Sequence, residues 1–366
     1  APTAPTAPTA PTAPTAPTTP TVSFAPAADA GAFGPLAEIL TPLIGERLIG
    51  TIRDAVQDVA SAVSDPARVD TALANMQSEV ADAIGRLDTA RVVKIQVGNS
   101  EPRAVKGQTH PQFDNLLRLI AGGENAFLVG PAGSGKTTAA RQVADAMGME
   151  LIVQPVSLDM FQALGFIDAS GTYRESPVYR WAKSPDPALL LIDEVDGWMA
   201  QALVSLNPIL DNRLGIFPHE QFEIVGEKAV IATGNTWGLG ANAEYCGRNR
   251  QDAASLDRLG ARVDWGYDEG FERKMIADLF PEHDTTSLVV ASQRIRENLA
   301  KTGVKIVWGP RQTIGLARRC AVGFSFEDAI GYSALATLDE TRRQKSMDGV
   351  TVSRVAFKVR KTASAK

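Results

Sequence analysis

The chain has 366 residues, a formal net charge of −5 and 44% hydrophobic residues. This content allows one large or two ordinary domains with a sizeable core, and the negative balance excludes an overall field that favours wrapping nucleic acid. The two cysteines, Cys246 and Cys320, lack the spacing of a zinc site, which indicates a reducing compartment such as the cytoplasm. The sequence has no run of about 18 apolar residues, so we predict no membrane-spanning segment.

The first part of the chain divides into a repeat and a helical region. Residues 1–18 repeat Ala-Pro-Thr six times, and proline at every third position predicts an extended tether over 1–31. Apolar residues at helical spacing then predict a helical hairpin over 32–90, broken at Asp65-Pro66. The tether is either a spacer to another body or a dispensable tail. The hairpin is either an interaction module or a cap on the core.

Short apolar runs alternate with helical stretches from residue 91 onward. The runs are Ala126–Val129, Leu151–Val153, Ala188–Ile192 and Ala229–Ala232. This alternation predicts an α/β core over 91–267, built on a buried parallel sheet with helices on both faces. The pattern then turns largely helical, through Phe271–Leu279, Thr286–Leu299, Pro310–Ala321 and Phe326–Arg343. It predicts a C-terminal helical lid over 268–345 and a basic tail over 346–366.

A glycine-rich sequence follows the first of these strands. Residues 130–137 read Gly-Pro-Ala-Gly-Ser-Gly-Lys-Thr and precede a helix that is predicted to begin at Thr137. This is the P-loop pattern, in which backbone N–H groups converge on phosphate oxygens at a helix N-terminus. Lys136 is expected against the β- and γ-phosphates, and the Thr137 hydroxyl on Mg²⁺. The predicted nucleotide contacts are Gly130, Pro131, Ala132, Gly133, Ser134, Gly135, Lys136, Thr137, Thr138 and Asp193.

Two adjacent carboxylates follow the strand Ala188–Ile192. Asp193 is expected to bind Mg²⁺, and Glu194 to orient and polarise an attacking water. Carboxylates at the end of an apolar strand are costly without a cation, which disfavours a purely structural role. Asp196 continues the cluster and is interpreted as a loop or helix-capping residue.

Polar residues farther along the chain complete the predicted site. Asn235 follows the next strand and is expected to position the γ-phosphate and the water, although an isolated asparagine there is more often a turn residue. The expected arginine finger is Arg258, and the alternatives to it are Arg248 and Arg250. Arg311 lies in the first turn of a predicted helix, from which it can reach phosphate.

The order of these motifs resembles the AAA+ superfamily, and within it the MoxR-like group that contains the ATPase subunit of cobaltochelatase and many phage and bacterial proteins. The resemblance covers about residues 105–320. Its most specific stretches are residues 130–138, 190–196, 232–249 and 256–258. The resemblance implies a P-loop NTPase fold in which Asn235 is sensor 1, Arg258 is a finger that acts in trans, and Arg311 is sensor 2.

The resemblance also implies an assembly. Six subunits are expected to form a ring, with residues 161–173 facing its pore and residues 215–227 forming a hairpin. The chain departs from the family where Leu259 stands in place of the aromatic residue that usually follows Asp-Arg.

These features predict an Mg²⁺-dependent ATPase that forms a homo-oligomeric ring and remodels or loads a protein client. One alternative is a nucleic-acid-dependent motor, for which Arg342, Arg343, Lys345 and residues 358–361 offer basic charge. A second alternative is a scaffold that binds ATP without appreciable turnover. A P-loop kinase is disfavoured because Glu194 stands where a kinase needs room for its second substrate.

Overall fold

The computed structural model describes residues 94–95, 103–105, 107–355 and 357–359. The predicted tether over 1–31 and the predicted helical hairpin over 32–90 lie outside the described residues. No helix within the described ranges combines the length and the apolar character that a membrane crossing needs.

A five-stranded parallel sheet forms the centre of the fold. Its strands in chain order are β1 (Ala126–Val129), β2 (Glu150–Gln154), β3 (Ala188–Ile192), β4 (Lys228–Gly234) and β5 (Ala261–Asp264). Their spatial order is β5-β1-β4-β3-β2, and every neighbouring pair is parallel. The strands β1, β3 and β4 are buried along their whole length, which explains why β1 and β3 are continuous apolar runs and why β4 is apolar over Ala229–Ala232.

Helices cover both faces of this sheet. Leu128, Leu189 and Ile231 pack on one face against the first two helices, and Phe127, Leu190 and Val230 pack on the other face against the next five. The first two helices are α1 (Phe113–Ala121) and α2 (Lys136–Met147), and the others are α3 (Met160–Leu164), α4 (Pro177–Lys183), α5 (Ala200–Val204), α6 (Asn207–Asn212) and α7 (Ala253–Arg258). The predicted α/β fold with a parallel sheet between helices is confirmed.

Residues 269–355, here called the C-terminal bundle, are helical with a core of their own. Its helices are α8 (Glu269–Leu279), α9 (Thr286–Thr302), α10 (Pro310–Ala321), α11 (Phe326–Gly331) and α12 (Glu340–Ser346). The stretch Phe326–Arg343, predicted to be largely helical, contains more than one helical segment. Ser333 and Asp339 each cap a new helical segment with their side chains, and these caps divide the stretch into α11, a 3₁₀ turn and α12.

A buried carboxylate fixes the first three helices of the bundle to one another. Glu272 of α8 is fully buried, and both of its oxygens lie 2.8 Å from Nη2 of Arg296 on α9. Thr313 of α10 donates its hydroxyl to Glu272 at 2.6 Å. Because a buried charge needs such partners, this network holds the first turns of α10, which carry Arg311, against α8 and α9.

Pairs of short antiparallel strands lie outside the central sheet. The hairpin expected over 215–227 is present as Leu214–Phe217 paired with Glu220–Glu223. After α3, Phe166–Ile167 pairs with Tyr173–Arg174 in a second hairpin. The remaining two pairs are Lys94–Ile95 with Arg103–Ala104, and His283–Asp284 with Lys358–Val359.

Candidate functional site

The predicted P-loop joins the carboxyl end of β1 to the amino end of α2. Gly133 and Gly135 have φ angles of 83° and 91°, a left-handed backbone that favours glycine. A Cβ at Gly130 would overlap the carbonyl oxygen of Trp265. The glycines therefore allow a tightly curled loop at a helix N-terminus, where free N–H groups and the helix dipole favour an anion.

Lys136 is the buried cation of this loop. Its side-chain Nζ donates to Gly130 O at 2.6 Å, to Pro131 O at 3.0 Å and to Asn235 Oδ1 at 3.1 Å. Burial lowers the pKa of Lys136 to about 8, although the carboxylates of Asp196, Asp193 and Glu194 act in the opposite direction. The predicted pair of Lys136 and Asn235 thus meets at the carboxyl ends of the neighbouring strands β1 and β4.

Asp193 and Glu194 lie at the carboxyl end of β3, on the other side of β4. Asp193 Oδ1 accepts the hydroxyl of Thr233 at 2.6 Å, and the same hydroxyl oxygen accepts the backbone N–H of Glu194 at 3.0 Å. Glu194 has φ 49°, which is rare for a residue with a side chain. Thr233 therefore fixes the turn that carries both carboxylates, a role that the sequence analysis did not assign to it.

Asp196 links the end of β3 to the end of β4. It is fully buried, and its Oδ2 accepts the backbone N–H groups of Asn235 at 3.0 Å and Thr236 at 2.8 Å, with the Thr236 hydroxyl at 3.0 Å. Arg248 lies beside it, with Nε 3.5 Å from Asp196 Oδ2 and Nη1 3.0 Å from Glu194 Oε2. Asp196 was interpreted as a loop or helix-capping residue, and its hydrogen bond to the backbone of Asn235 was not expected.

Two tyrosines hold the P-loop at Ala132. The Ala132 N–H donates to the Tyr245 hydroxyl at 3.0 Å, and the Tyr267 hydroxyl donates to Ala132 O at 2.8 Å. Burial raises the pKa of Tyr267, so the group stays a donor at physiological pH. The guanidinium of Arg296 lies 4.5 Å from the Tyr267 ring and connects the C-terminal bundle to the P-loop.

Arg311 and Arg258 lie at different ends of the sheet. A Cβ at Gly133 would lie 3.4 Å from Arg311 Cβ, so α10 begins against the P-loop as the sequence predicts. The backbone carbonyl of Arg258 instead accepts a hydrogen bond from Asn125. Asn125 precedes β1, so this contact lies at the amino-terminal ends of the strands, away from the P-loop. The Arg258 Nε lies 3.4 Å from Asp211 Oδ2. Arg258 therefore does not serve the P-loop of its own chain.

The two alternatives to Arg258 also differ from each other. Arg248 turns inward to Glu194 and Asp196, with a side chain that is 15% exposed. Arg250 is exposed, and its backbone forms an isolated bridge with Leu239. Of the three candidate fingers, Arg248 contacts Glu194 and Asp196, Arg258 contacts Asp211 instead, and Arg250 is exposed.

The arrangement suits a nucleotide with a bound magnesium ion better than a metal held by protein alone. Thr137 and Thr138 are exposed in the first turn of α2, and Asp193 is half-buried with one oxygen bound to Thr233. Over the described ranges, no group of three or more His, Cys, Asp or Glu side chains converges to hold a metal. Mg²⁺ in phosphate sites commonly takes one or two carboxylates and completes its shell with phosphate oxygens and waters. Thr137 and Asp193 fit that requirement.

Residues 125–259 match a family model described as "AAA domain (dynein-related subfamily)". This segment is similar to AAA domains. The match begins just before β1 and ends just after Arg258, so the matched segment contains the P-loop, Asp193, Glu194 and Asn235. Arg311 and the C-terminal bundle lie outside the matched segment. No curated protein matches the chain.

Solved structures similar to this chain include those of two bacterial proteins. The RuvB Holliday junction branch migration motor of Thermotoga maritima is 13% identical, with a TM-score of 0.34, over 55% of this chain and 66% of that one. NtrX of Brucella abortus is 12% identical, with a TM-score of 0.40, over 78% of this chain and 71% of that one. NtrX in complex with ADP matches at 12% identity and a TM-score of 0.38, over 68% and 55%. This chain thus spans less than two thirds of the RuvB structure and of the ADP-bound NtrX structure.

Proposed function

We propose that the chain is an Mg²⁺-dependent ATPase of the MoxR-like group, related to the ATPase subunit of cobaltochelatase. The observation that carries the proposal is the meeting of Lys136, Asn235, Asp193 and Glu194 at one edge of the sheet, at the ends of three adjacent strands. A cation, an amide and two carboxylates placed together at a P-loop are the groups that phosphoryl transfer to water requires.

In the proposed reaction, water attacks the γ-phosphorus of ATP. A bond forms between the water oxygen and phosphorus, the bond to the β–γ bridging oxygen breaks, and the products are ADP and phosphate. Glu194 orients the water and accepts its proton, while Lys136 and Asn235 hold the γ-phosphate. Thr137 and Asp193 would hold Mg²⁺, which neutralises charge on the β- and γ-oxygens. Arg311 reaches the phosphates from the start of α10.

The proposal is tested by phosphate release from ATP by the purified chain, with and without Mg²⁺. We expect turnover that stops when the divalent ion is chelated and that is absent in Lys136→Ala. Turnover that continues unchanged in Lys136→Ala would refute the assignment of this site.

Nucleic acid added over a range of salt concentrations tests the motor alternative, which requires strong stimulation that fades as salt rises. In the C-terminal bundle, the guanidinium of Arg342 is paired with Asp339 at 3.4 Å, so its charge is partly neutralised.

The pH dependence of nucleotide affinity is a second expected result. Lys136 is protonated below its folded-state pKa of about 8 and loses its charge above it. We therefore expect ADP affinity to be constant between pH 6.5 and 7.5. Above pH 8 it should decrease, with a limiting slope of about tenfold per pH unit. Titration of a fluorescent ADP analogue measures this dependence. Affinity that stays constant to pH 9.5 would contradict this role of the charged Lys136.

The stability of the fold is expected to change with pH in the opposite direction to ADP affinity. The pKa of Lys136 is lowered from 10.5 in the free residue, so the unfolded chain binds more protons between the two values. Deprotonation of Lys136 therefore stabilises the fold as pH rises through this window. Thermal unfolding without nucleotide over the same pH range separates the two effects.

Arg258 supports the proposal of a ring. It lies near the amino-terminal ends of the strands, whereas the P-loop of its own chain lies at their carboxyl ends, so it can act as a finger only on a neighbouring subunit. A head-to-tail interface that places Arg258 of one subunit against Lys136 of the next closes into a ring when its rotation allows, and we propose six subunits. Such a ring converts nucleotide turnover into motion between subunits, which suits the remodelling or loading of a protein client.

Mixing two inactive variants tests the shared site. Arg258→Ala keeps Glu194 but lacks the finger, and Glu194→Gln has the opposite defect. Random mixing at equal amounts leaves both groups intact at about a quarter of the interfaces, so we expect turnover near a quarter of the wild-type rate. Mixtures that stay inactive at every ratio would contradict a finger supplied in trans. If Arg250 were the finger, Arg250→Ala would complement Glu194→Gln and Arg258→Ala alone would remain active.

A further inference from the structure

Arg248 is a nearly buried arginine that the proposed reaction leaves without a role. Its Nη1 lies 3.0 Å from Glu194 Oε2 and its Nε lies 3.5 Å from Asp196 Oδ2. A Cβ at Gly197 would lie 2.8 Å from Arg248 Nη1, so the guanidinium lies close to this glycine. A guanidinium that contacts two carboxylates of its own chain differs from the free surface arginine that a finger for a neighbouring subunit would need.

The backbone around Arg248 is anchored on both sides. Tyr245 accepts the N–H of Ala132 in the P-loop at 3.0 Å. On the other side, the Asn249 N–H donates to Asp196 O at 2.7 Å, and its side chain donates to Trp198 O at 3.0 Å. The loop that carries Arg248 is thus tied to the P-loop and to the turn after β3, which fixes the position from which the guanidinium reaches Glu194.

Glu194 needs such a contact more than its neighbours do. Its backbone is fixed by the bond from its N–H to Thr233, and its left-handed φ sets the direction in which the side chain leaves the chain. The side chain itself is 49% exposed. Its carboxylate accepts a hydrogen bond from Arg248 at Oε2, which leaves Oε1 for another partner.

We propose that Arg248 is a positioning residue that holds the Glu194 carboxylate in the orientation from which Oε1 binds the attacking water. The proposal rests on the proposed ATPase function of this site. Fixing one oxygen of a half-exposed glutamate reduces the rotamers that it samples and keeps the other oxygen in place during the reaction. Arg248 thereby acts through Glu194 and does not touch the substrate.

The first test compares Arg248→Ala with Arg248→Lys in steady-state turnover. We expect Arg248→Ala to lower kcat by about 10- to 100-fold with KM within about twofold, because misplacement of a catalytic group reduces rate more than binding. Arg248→Lys keeps a donor to Glu194 and is expected to recover part of the loss. Arg318→Ala, which removes an exposed arginine from α10, is the matched control for the loss of one positive charge and should retain wild-type turnover.

A double-mutant cycle separates this role from a structural one. In a Glu194→Gln background, Arg248→Ala should reduce the residual turnover no further, because the group on which it acts is already changed. A role limited to balancing the charge of Asp196 would instead lower the unfolding temperature and ADP affinity in both backgrounds. Equal losses of turnover in both backgrounds, or faster turnover in Arg248→Ala, would overturn the proposal.

Wild-type turnover distinguishes failure of this inference from failure of the proposed function. If the wild-type chain hydrolyses ATP and Arg248→Ala matches it, only the role of Arg248 is lost. If the wild-type chain binds ADP but shows no Mg²⁺-dependent turnover, the ATPase proposal fails and the role of Arg248 fails with it.

Discussion

Replacing Glu194 with glutamine lowers ATP turnover by about 10²- to 10⁴-fold, the usual contribution of general acid–base catalysis, and leaves ADP affinity within about twofold. The amide has nearly the shape of the carboxylate and still accepts a hydrogen bond, but it cannot take a proton from water. Binding is preserved because the P-loop, Lys136 and Asn235 are unchanged, and Thr233 fixes the Glu194 backbone through its N–H.

Single-turnover phosphate release and ADP titration on the same samples measure these two quantities. Glu282→Gln makes the same chemical change at an exposed position in the C-terminal bundle and should not alter either of them. If Glu194→Gln kept wild-type turnover, Glu194 would not be the group that activates water. Parallel losses of turnover and of ADP affinity would instead indicate that the substitution disturbs the P-loop.

Replacing Asp196 with alanine is expected to lower the free energy of unfolding by about 3 kcal/mol or more, the cost of removing one partner from a buried charge network. The substitution leaves the backbone N–H groups of Asn235 and Thr236 without their acceptor. It also removes one of the two carboxylates that balance Arg248. Because Asn235 loses its bond to Asp196 and keeps its contact with Lys136, its position is less well fixed and turnover should fall as well.

Denaturant unfolding of Asp196→Ala, with Asp196→Asn as the conservative variant, measures this effect. The asparagine side chain retains an oxygen that can accept the two N–H groups, so we expect Asp196→Asn to lose clearly less stability than Asp196→Ala. Equal stability of Asp196→Ala and the wild-type chain would mean that water replaces the carboxylate without cost. Similar losses in both variants would show that the charge, and not the acceptor oxygen, is what the buried site requires.

The sheet was predictable where burial is complete. The runs Ala126–Val129 and Ala188–Ile192 coincide with β1 and β3 residue for residue, because strands covered on both faces favour apolar residues along their length. Strand β5 was not recognised. Its sequence, Ala-Arg-Val-Asp at Ala261–Asp264, alternates with charged residues because β5 is an edge strand with β1 as its single neighbour in the sheet.

The sequence predicted those residues of the candidate site that follow the carboxyl ends of the strands. Lys136, Asp193 and Asn235 each follow a predicted strand, and parallel strands bring such positions to one edge. The contacts of Tyr245, Tyr267 and Arg248 were not assigned. They join segments far apart in sequence through single hydrogen bonds, which leave no periodicity or spacing to detect. Gly197 was a possible signal for Arg248, but its meaning is visible only once the guanidinium is placed beside it.

The two tyrosines at Ala132 determine which part of the P-loop remains free to recognise an anion. The N–H of Ala132 is engaged by Tyr245 and its carbonyl by Tyr267. The Ala132 peptide is therefore engaged on both sides, which anchors the P-loop to the segments that carry the two tyrosines. The N–H groups at the first turn of α2 lie at a helix N-terminus, where the helix itself supplies no acceptor for them. We therefore expect these amides to contribute more to the binding of an anion than the amide of Ala132.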